Sequence, residues 1–304
     1  MVCLVVLFLM CSTDLIIRET EKEIYQVAVI IEDARDDNYG NFRKGMDQAA
    51  IEINADVRFI TLYEKLDEGQ QMEMILREQQ DGTDALIVAP ADETQVIAAL
   101  ASRQVTTPMV LLGSELTGEG VEGAVVIDYR EMGIMAARQI MEHTPADCPV
   151  MILGDREKRS AVSQRFAEGA AEAFEDGGYR YRRAEDMEES LKGWEGPEAV
   201  ILAENPQSLT EAARLLTDNP FLGECVKGLY GRGTTIQILN DLDRGIITGV
   251  CAADDFGVGY LSVYMAVRAL EESGSQQPVT MESWYIEKED LRDPVFEAML
   301  YPIE

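Results

Sequence analysis

The chain of 304 residues carries 56 acidic against 26 basic side chains, a formal charge of −30, and is 46% hydrophobic. That apolar share suffices for buried cores, about two domains at ~150 residues each. The negative surplus opposes the cationic footprint that nucleic acid or an anionic lipid surface requires.

The chain opens MVCLVVLFLMCST, and Val2–Met10 is an uncharged apolar run shorter than the ~20 residues of a membrane span. With the polar STDLIIRETEKEIYQ behind it, the run reads as a secretory h-region or the end of a membrane anchor. Cys11 stands where a lipoprotein cysteine would, but Leu9 and Met10 replace the small residues expected there. No Lys or Arg precedes the run and no A-x-A-like site follows. A lipoprotein signal, a cleaved signal and a truncated anchor all stay open. Residues 1–24 are assigned to this signal or anchor and its tether.

A pattern of short β-rich apolar run, turn and helix-period segment then repeats. Strand Gln26–Ile31 leads to helix Gly40–Ile53, whose Phe42, Met46, Ala49, Ala50 and Ile53 share one face. Strand Val57–Leu62, helix Gly69–Gln80 and strand Ala85–Ala89 follow. Helix Asp92–Arg103 starts after Pro90 with Asp92 available as N-cap. Strands Met109–Leu112 and Ala124–Ile127 complete a first β-α-β-α-β-α-β unit. The second half repeats it. Helix Glu131–His143, strand Val150–Leu153, helix Ser160–Glu175 and strand Tyr179–Arg183 come first. Strand Ala199–Ala203, helix Gln207–Thr217, strand Val226–Tyr230 and helix Thr235–Asp243 are next. Strand Ile246–Cys251, helix Gly257–Glu271 and a last strand, Met281–Ile286, close the chain. Two such units predict α/β architecture, two doubly wound parallel sheets, with ligands outside the carboxyl ends of the strands.

The catalytic motifs tested are missing. His143 is the single histidine, at a helical end where a cation suits the dipole, which removes most metal sites and imidazole-based nucleophilic sets. The five cysteines include no C-x-x-C pair, although Cys225 and Cys251 are open to joining in an oxidising compartment. No dinucleotide glycines follow the first strand, and the glycine-rich 228–233 stretch lacks a phosphate-loop lysine and reads as a flexible turn. The Asp36/Asp37 pair could do acid/base work, but paired acids are common in so acidic a chain. No catalytic residue, metal or cofactor is therefore assigned.

The strand ends instead collect polar and aromatic side chains. Arg35, Asp36, Asn38 and Tyr39 follow the first strand, Ser114 the fourth, and Asp128 the fifth. Arg156 and Arg165 come after Val150–Leu153, Asn205 after Ala199–Ala203 and Asp254 after Ile246–Cys251. Carboxylates, amides and guanidinium groups satisfy hydroxyls, and an aromatic ring covers an apolar sugar face. These ten residues are the candidate ligand-binding set for a small hydroxyl-rich molecule.

From Tyr25 onward the chain resembles the periplasmic sugar-binding proteins of the ribose/galactose type, whose fold is shared with the ligand domain of lactose-type repressors. The carriers are YQVAVIIEDARDDNYGNFRKGMDQAA, DGTDALIVAPAD, TTPMVLLGS, VVIDYREMGIMAARQI, SQRFAEGAAEAF, VILAEN, LDRGIITGV and FGVGYLSVYMAVRAL. The resemblance implies two lobes joined by three crossings near residues 127–128, 250–254 and 280–283. The lobes would be 25–127 plus 254–280 and 128–253 plus 281–304, with ligand between them. It places Asp36 at a hydrogen-bonding Asn position, Asn38 and Tyr39 at two aromatic positions, Glu32 at an upstream Ser, Arg165 at the sugar-binding arginine and Asn205 at a binding Asn. It departs at Gly113-Ser114, which replaces Asp-Arg, at Arg232, which replaces a ligand-binding Asp, and at Ala253, which replaces a hinge Gln. No DNA-binding helix-turn-helix precedes the domain. The implied function is an extracytoplasmic solute-binding protein presenting a small sugar-like ligand to an ABC permease. The alternatives are a membrane-anchored accessory reporting to a sensor histidine kinase and, behind it, an enzyme on the same scaffold. No nucleic acid is expected as a partner, and membrane contact is expected only through the N-terminal segment.

Overall fold

The computed structural model describes residues 24–116, 118–155, 160–192, 196, 198–272 and 275–302. The apolar run Val2–Met10 and Cys11 lie outside them. Among the described residues no helix is long and apolar enough to cross a membrane.

In the first half, strands β1 (Tyr25–Ile30), β2 (Ala55–Ile60), β3 (Ala85–Val88), β4 (Met109–Leu112) and β5 (Val121–Ile127) alternate with helices α1 (Gly40–Ile53), α2 (Glu68–Gln80) and α3 (Glu93–Ala101). The second half has strands β6 (Val150–Leu153), β7 (Tyr181–Ala184), β8 (Ala199–Ala203), β9 (Val226–Arg232) and β10 (Gly249–Ala253). Its helices are α4 (Tyr129–His143), α5 (Ala161–Asp176), α6 (Met187–Leu191), α7 (Pro206–Asp218), α8 (Pro220–Cys225) and α9 (Ile236–Asp243). Helix α10 (Asp255–Glu271), strands β11 (Val279–Met281) and β12 (Ser283–Ile286) and helix α11 (Pro294–Leu300) follow.

The strands form two six-stranded sheets of matching order, β11-β5-β4-β3-β1-β2 and β12-β10-β9-β8-β6-β7. Pairing is parallel except for β12, which runs antiparallel to β10. Parallel strands covered on both faces need apolar side chains at consecutive positions. In β1, Val27 and Val29 join one cluster while Ala28 and Ile30 join another on the opposite face. The chain passes between the sheets three times: after Ile127 into α4, after Ala253 into α10, and at Glu282 between β11 and β12. Helix α10 therefore returns to pack on α1, and α4 packs on α5 in the second lobe.

Two sequence expectations change. The run expected as one strand, Met281–Ile286, is two short strands that pair in different sheets, because Glu282 sits at the crossing. Cys225 and Cys251 are both free and buried. Cys251 faces the α4 side, its Sγ 3.6 Å from the Met132 carbonyl, while Cys225 ends α8, which packs on α7 across the sheet. His143 sits in the last turn of α4 with Nδ1 2.8 Å from the Gln139 carbonyl.

Candidate functional site

A cavity of about 180 Å³ opens between the two lobes at the carboxyl ends of both sheets. Each wall is set by residues immediately after strands. Glu32 follows β1, and Tyr39 ends the short turn before α1. The Tyr39 hydroxyl donates to Glu32 Oε2 at 3.0 Å, and its ring packs on Phe42 and Phe59 with centroids 5.7 and 5.6 Å away. Asp255 opens α10 and accepts a hydrogen bond from Thr234 Oγ1 of the other lobe. Opposite them, Arg232 ends β9. Its Nε donates to the Glu204 carbonyl at 2.9 Å, Nη2 lies 3.4 Å from Ser163 Oγ, and its guanidinium stacks 4.9 Å from the Tyr129 ring centroid. Asn205 is only 4% exposed and lines the cavity; its Oδ1 caps α7 by accepting from Ser208 N, while Nδ2 has no hydrogen-bond partner among the described residues.

Burial raises the pKa of Glu32 and pushes that of Asp255 up to about 6, because taking a carboxylate out of water disfavours its charged form. Burial likewise raises the Tyr129 phenol to about 12, so the hydroxyl stays protonated. A carboxyl whose folded pKa is raised stabilises the fold below its unfolded pKa, and that contribution is lost as pH rises through the folded value. Asp255→Asn, which keeps an acceptor for Thr234, is therefore expected to raise the melting temperature at pH 7.5. The gain should shrink through pH 6 and vanish near pH 4 in thermal melts; a gain independent of pH would contradict the assignment.

Contacts between the lobes frame this cavity. Arg165 on α5 donates through Nη2 to both Glu93 oxygens, at 2.8 and 3.0 Å, and through Nη1 to the Gly113 carbonyl at 3.0 Å. Gly113 has φ +67°, a left-handed conformation that glycine adopts without strain. Lys65 pairs with Asp155 at 2.5 Å, and Ser208 donates to the other Asp155 oxygen at 3.3 Å. Near the C-terminus, the Leu300 and Pro302 carbonyls accept from Asn41 and Lys44 of α1.

Of the ten sequence candidates, Asn38, Tyr39 and Asn205 line the cavity. Arg165 stands beside it as an interlobe strut. Asp128, Asn205 and Asp254 are N-caps, accepting from Glu131, Ser208 and Gly257 backbone N–H groups. Arg35 and Asp36 are exposed and engaged with Asp37 and Arg43, and Arg35 lines a neighbouring interlobe cavity nearer the surface. Ser114 is fully buried and accepts from Leu116 N at 3.4 Å. Arg156 lies outside the described residues. The ten-residue set does not include Tyr129, Arg232 or Asp255, although two directly follow members of it at strand ends and the third lies within the stretch read as a flexible turn. Among the described residues no group of His, Cys, Asp and Glu is placed to hold a metal ion.

Two parallel α/β lobes with a polar cavity at their facing strand ends define a two-lobed binding-protein architecture. The chain belongs to the periplasmic binding protein domain family, whose model matches residues 27–275. Comparison with curated proteins gives no match. Among solved structures, an ABC transporter solute-binding protein from Agrobacterium vitis bound with α-D-tagatopyranose aligns with TM-score 0.79 and 17% identity, covering 92% of this chain and 100% of that one. One from Bacillus halodurans with bound myo-inositol gives TM-score 0.76, 18% identity and coverage of 92% and 99%. A chain of the TorS sensor domain–TorT complex gives TM-score 0.75, 18% identity and coverage of 91% and 98%. At these identities the likeness is one of fold. Members of the family are solute-binding proteins of extracytoplasmic compartments.

Proposed function

We propose that this protein is a non-catalytic extracytoplasmic receptor, held at the membrane by its N-terminal segment, that captures a small sugar-like molecule between its lobes and presents it to an ABC permease. The observation that carries this reading is the convergence of Glu32, Asp255, Arg232 and Asn205 on one interlobe cavity beside Tyr39 and Tyr129. Acceptors and donors on facing walls suit a ligand whose hydroxyls both give and take hydrogen bonds. A ligand that bridges both walls favours the closed arrangement by its differential affinity for it, and the closed surface is then available to a membrane partner. A second reading keeps the receptor and changes the listener to a sensor kinase. The fold shared with a chain of the TorS–TorT complex supports it.

Thermal-shift screening of sugars, sugar alcohols, cyclitols, amino sugars and nucleosides tests the receptor. A ligand at 100 times its Kd stabilises by about 2.7 kcal/mol, which gives a shift of several degrees. A flat response across the whole panel would count decisively against a small-molecule receptor. Co-purification with a permease or with a kinase periplasmic domain separates the two listeners.

A further inference from the structure

We propose that the ligand of this cleft is an aminated polyol, an amino sugar or amino cyclitol, and that its ammonium sits against the wall built by Glu32, Asp33 and Asp255. The inference rests on the receptor reading above and narrows its ligand class.

Among the described residues, the cavity's unpaired charges and its orphaned amide divide by lobe, beside neutral groups such as Asn38, Ser163 and Gln207 that both donate and accept. The wall from the first lobe offers the carboxylates of Glu32, Asp33 and Asp255, which when ionised only accept. The wall from the second lobe offers the Arg232 guanidinium and Asn205 Nδ2, which only donate. An ammonium has three donors and no acceptor, so it matches the first wall; hydroxyl and ring oxygens match the second.

Charge sharpens the choice. The other charged side chains around the cavity are already matched, Lys65 with Asp155 and Glu93 with Arg165. Arg232 is committed to the Glu204 carbonyl, to Ser163 and to the face of Tyr129, and it makes no ion pair among the described residues. Among the described residues, three carboxylates thus face one guanidinium. A neutral polyol leaves that imbalance in a partly desolvated site, whereas a cation reduces it. The rings of Tyr39 and Tyr129 beside the carboxylates favour a cation further. Burial raises the pKa of both Glu32 and Asp255, and the Arg232 guanidinium offsets that rise only in part. An ammonium would lower both, so binding near pH 6 releases protons. Independently, the buried Asn205 Nδ2 has no partner among the described residues, and a buried donor without an acceptor bears the full cost of its lost hydration. A ligand oxygen supplies that acceptor.

The test is isothermal titration with sets matched except at one substituent: glucose, glucosamine and glucuronate; galactose and galactosamine; myo-inositol and an amino-inositol. At pH 7.5 and low salt the amine of a binding set is expected to bind at least about tenfold tighter than its neutral partner. At pH 6, titrations in buffers of different ionisation enthalpy should show proton release. Glu32→Gln and Asp255→Asn should each lower the amine preference, and the double variant, shown to be folded by circular dichroism, should bring it to within about threefold, with two of the three carboxylates neutralised. Equal or tighter binding of the neutral or acidic partner overturns the proposal while leaving the receptor reading intact. So does an amine preference that survives both substitutions. Failure of every compound to bind overturns the receptor reading and this one with it.

Discussion

Valine at position 259 is expected to destabilise the first lobe by at least about 3 kcal/mol, the upper range for an overpacked core. Helices α1 and α10 touch there through their backbones. A Cβ on Gly259 would lie 2.0 Å from the Phe42 carbonyl oxygen, and one on Gly45 would lie 1.9 Å from that of Phe256. Neither contact involves a side-chain tip that could rotate away, so the helices themselves must separate. Separation would loosen the packing around Met46 and Val263, both in the main core. The second lobe repeats the arrangement: Gly133 meets the Phe166 carbonyl and Gly169 that of Arg130, each at 2.0 Å, where α4 crosses α5. Urea unfolding of Gly259→Val should show a markedly lowered midpoint, and Gly133→Val should do the same through the other lobe. Gly40→Ala, at an exposed helix start with nothing within 4 Å, serves as control and should be neutral or slightly stabilising. Unchanged midpoints in both valine variants would show that the crossings are not the tight points.

Much of this fold could be read from apolar periodicity. Gly40–Ile53, Met109–Leu112, Val150–Leu153 and Ala199–Ala203 have the same bounds in sequence and structure. Asp92 caps α3 through Thr94 and Gln95, as its position after Pro90 indicates. What periodicity lacks is pairing information. A short apolar run looks the same in either sheet, so β11 and β12 read as one strand until Glu282 is seen to cross between lobes. The short helices α6 and α8 gave too few turns for a periodic signal.

The site was legible only to within a residue, and the reason is physical. An Asp or Asn at a strand-to-helix turn can cap the helix or meet a ligand, and the sequence does not distinguish the two uses. Asp128 and Asp254 spend an oxygen on caps, and it is their next neighbours, Tyr129 and Asp255, that line the cavity. Arg232 was hidden by its glycine neighbours, which suggested a flexible turn where β9 in fact continues. Glu93, the partner of Arg165, is absent from the candidate set, because nothing in a sequence places α3 opposite α5.

That last pairing gives Arg165 a role that can be separated from ligand contact. Its Nη1 and Nη2 are committed to Gly113 and Glu93 across the lobe boundary, so Arg165→Ala should weaken ligand capture by costing the closed form an ion pair in which Nη2 reaches both Glu93 oxygens. The pair is partly exposed, with side-chain exposures of 36% and 21%, which places it between a surface bridge worth under ~1 kcal/mol and a buried one. A fall in affinity of about tenfold is expected, read by titration with whichever compound the thermal screen identifies. The same fall is expected from Glu93→Ala, although the two variants remove opposite charges. The double variant should be little worse than either, since the second substitution removes a partner already lost. Solution scattering without ligand should show both single variants with a larger radius of gyration than the wild type, as the lobes part more readily. If Arg165 instead grips the ligand, Glu93→Ala leaves affinity near wild type while Arg165→Ala still abolishes it. The strut and the ligand contact therefore predict opposite results for one substitution, Glu93→Ala, in a side chain that lies on the first lobe and faces the arginine from across the cleft.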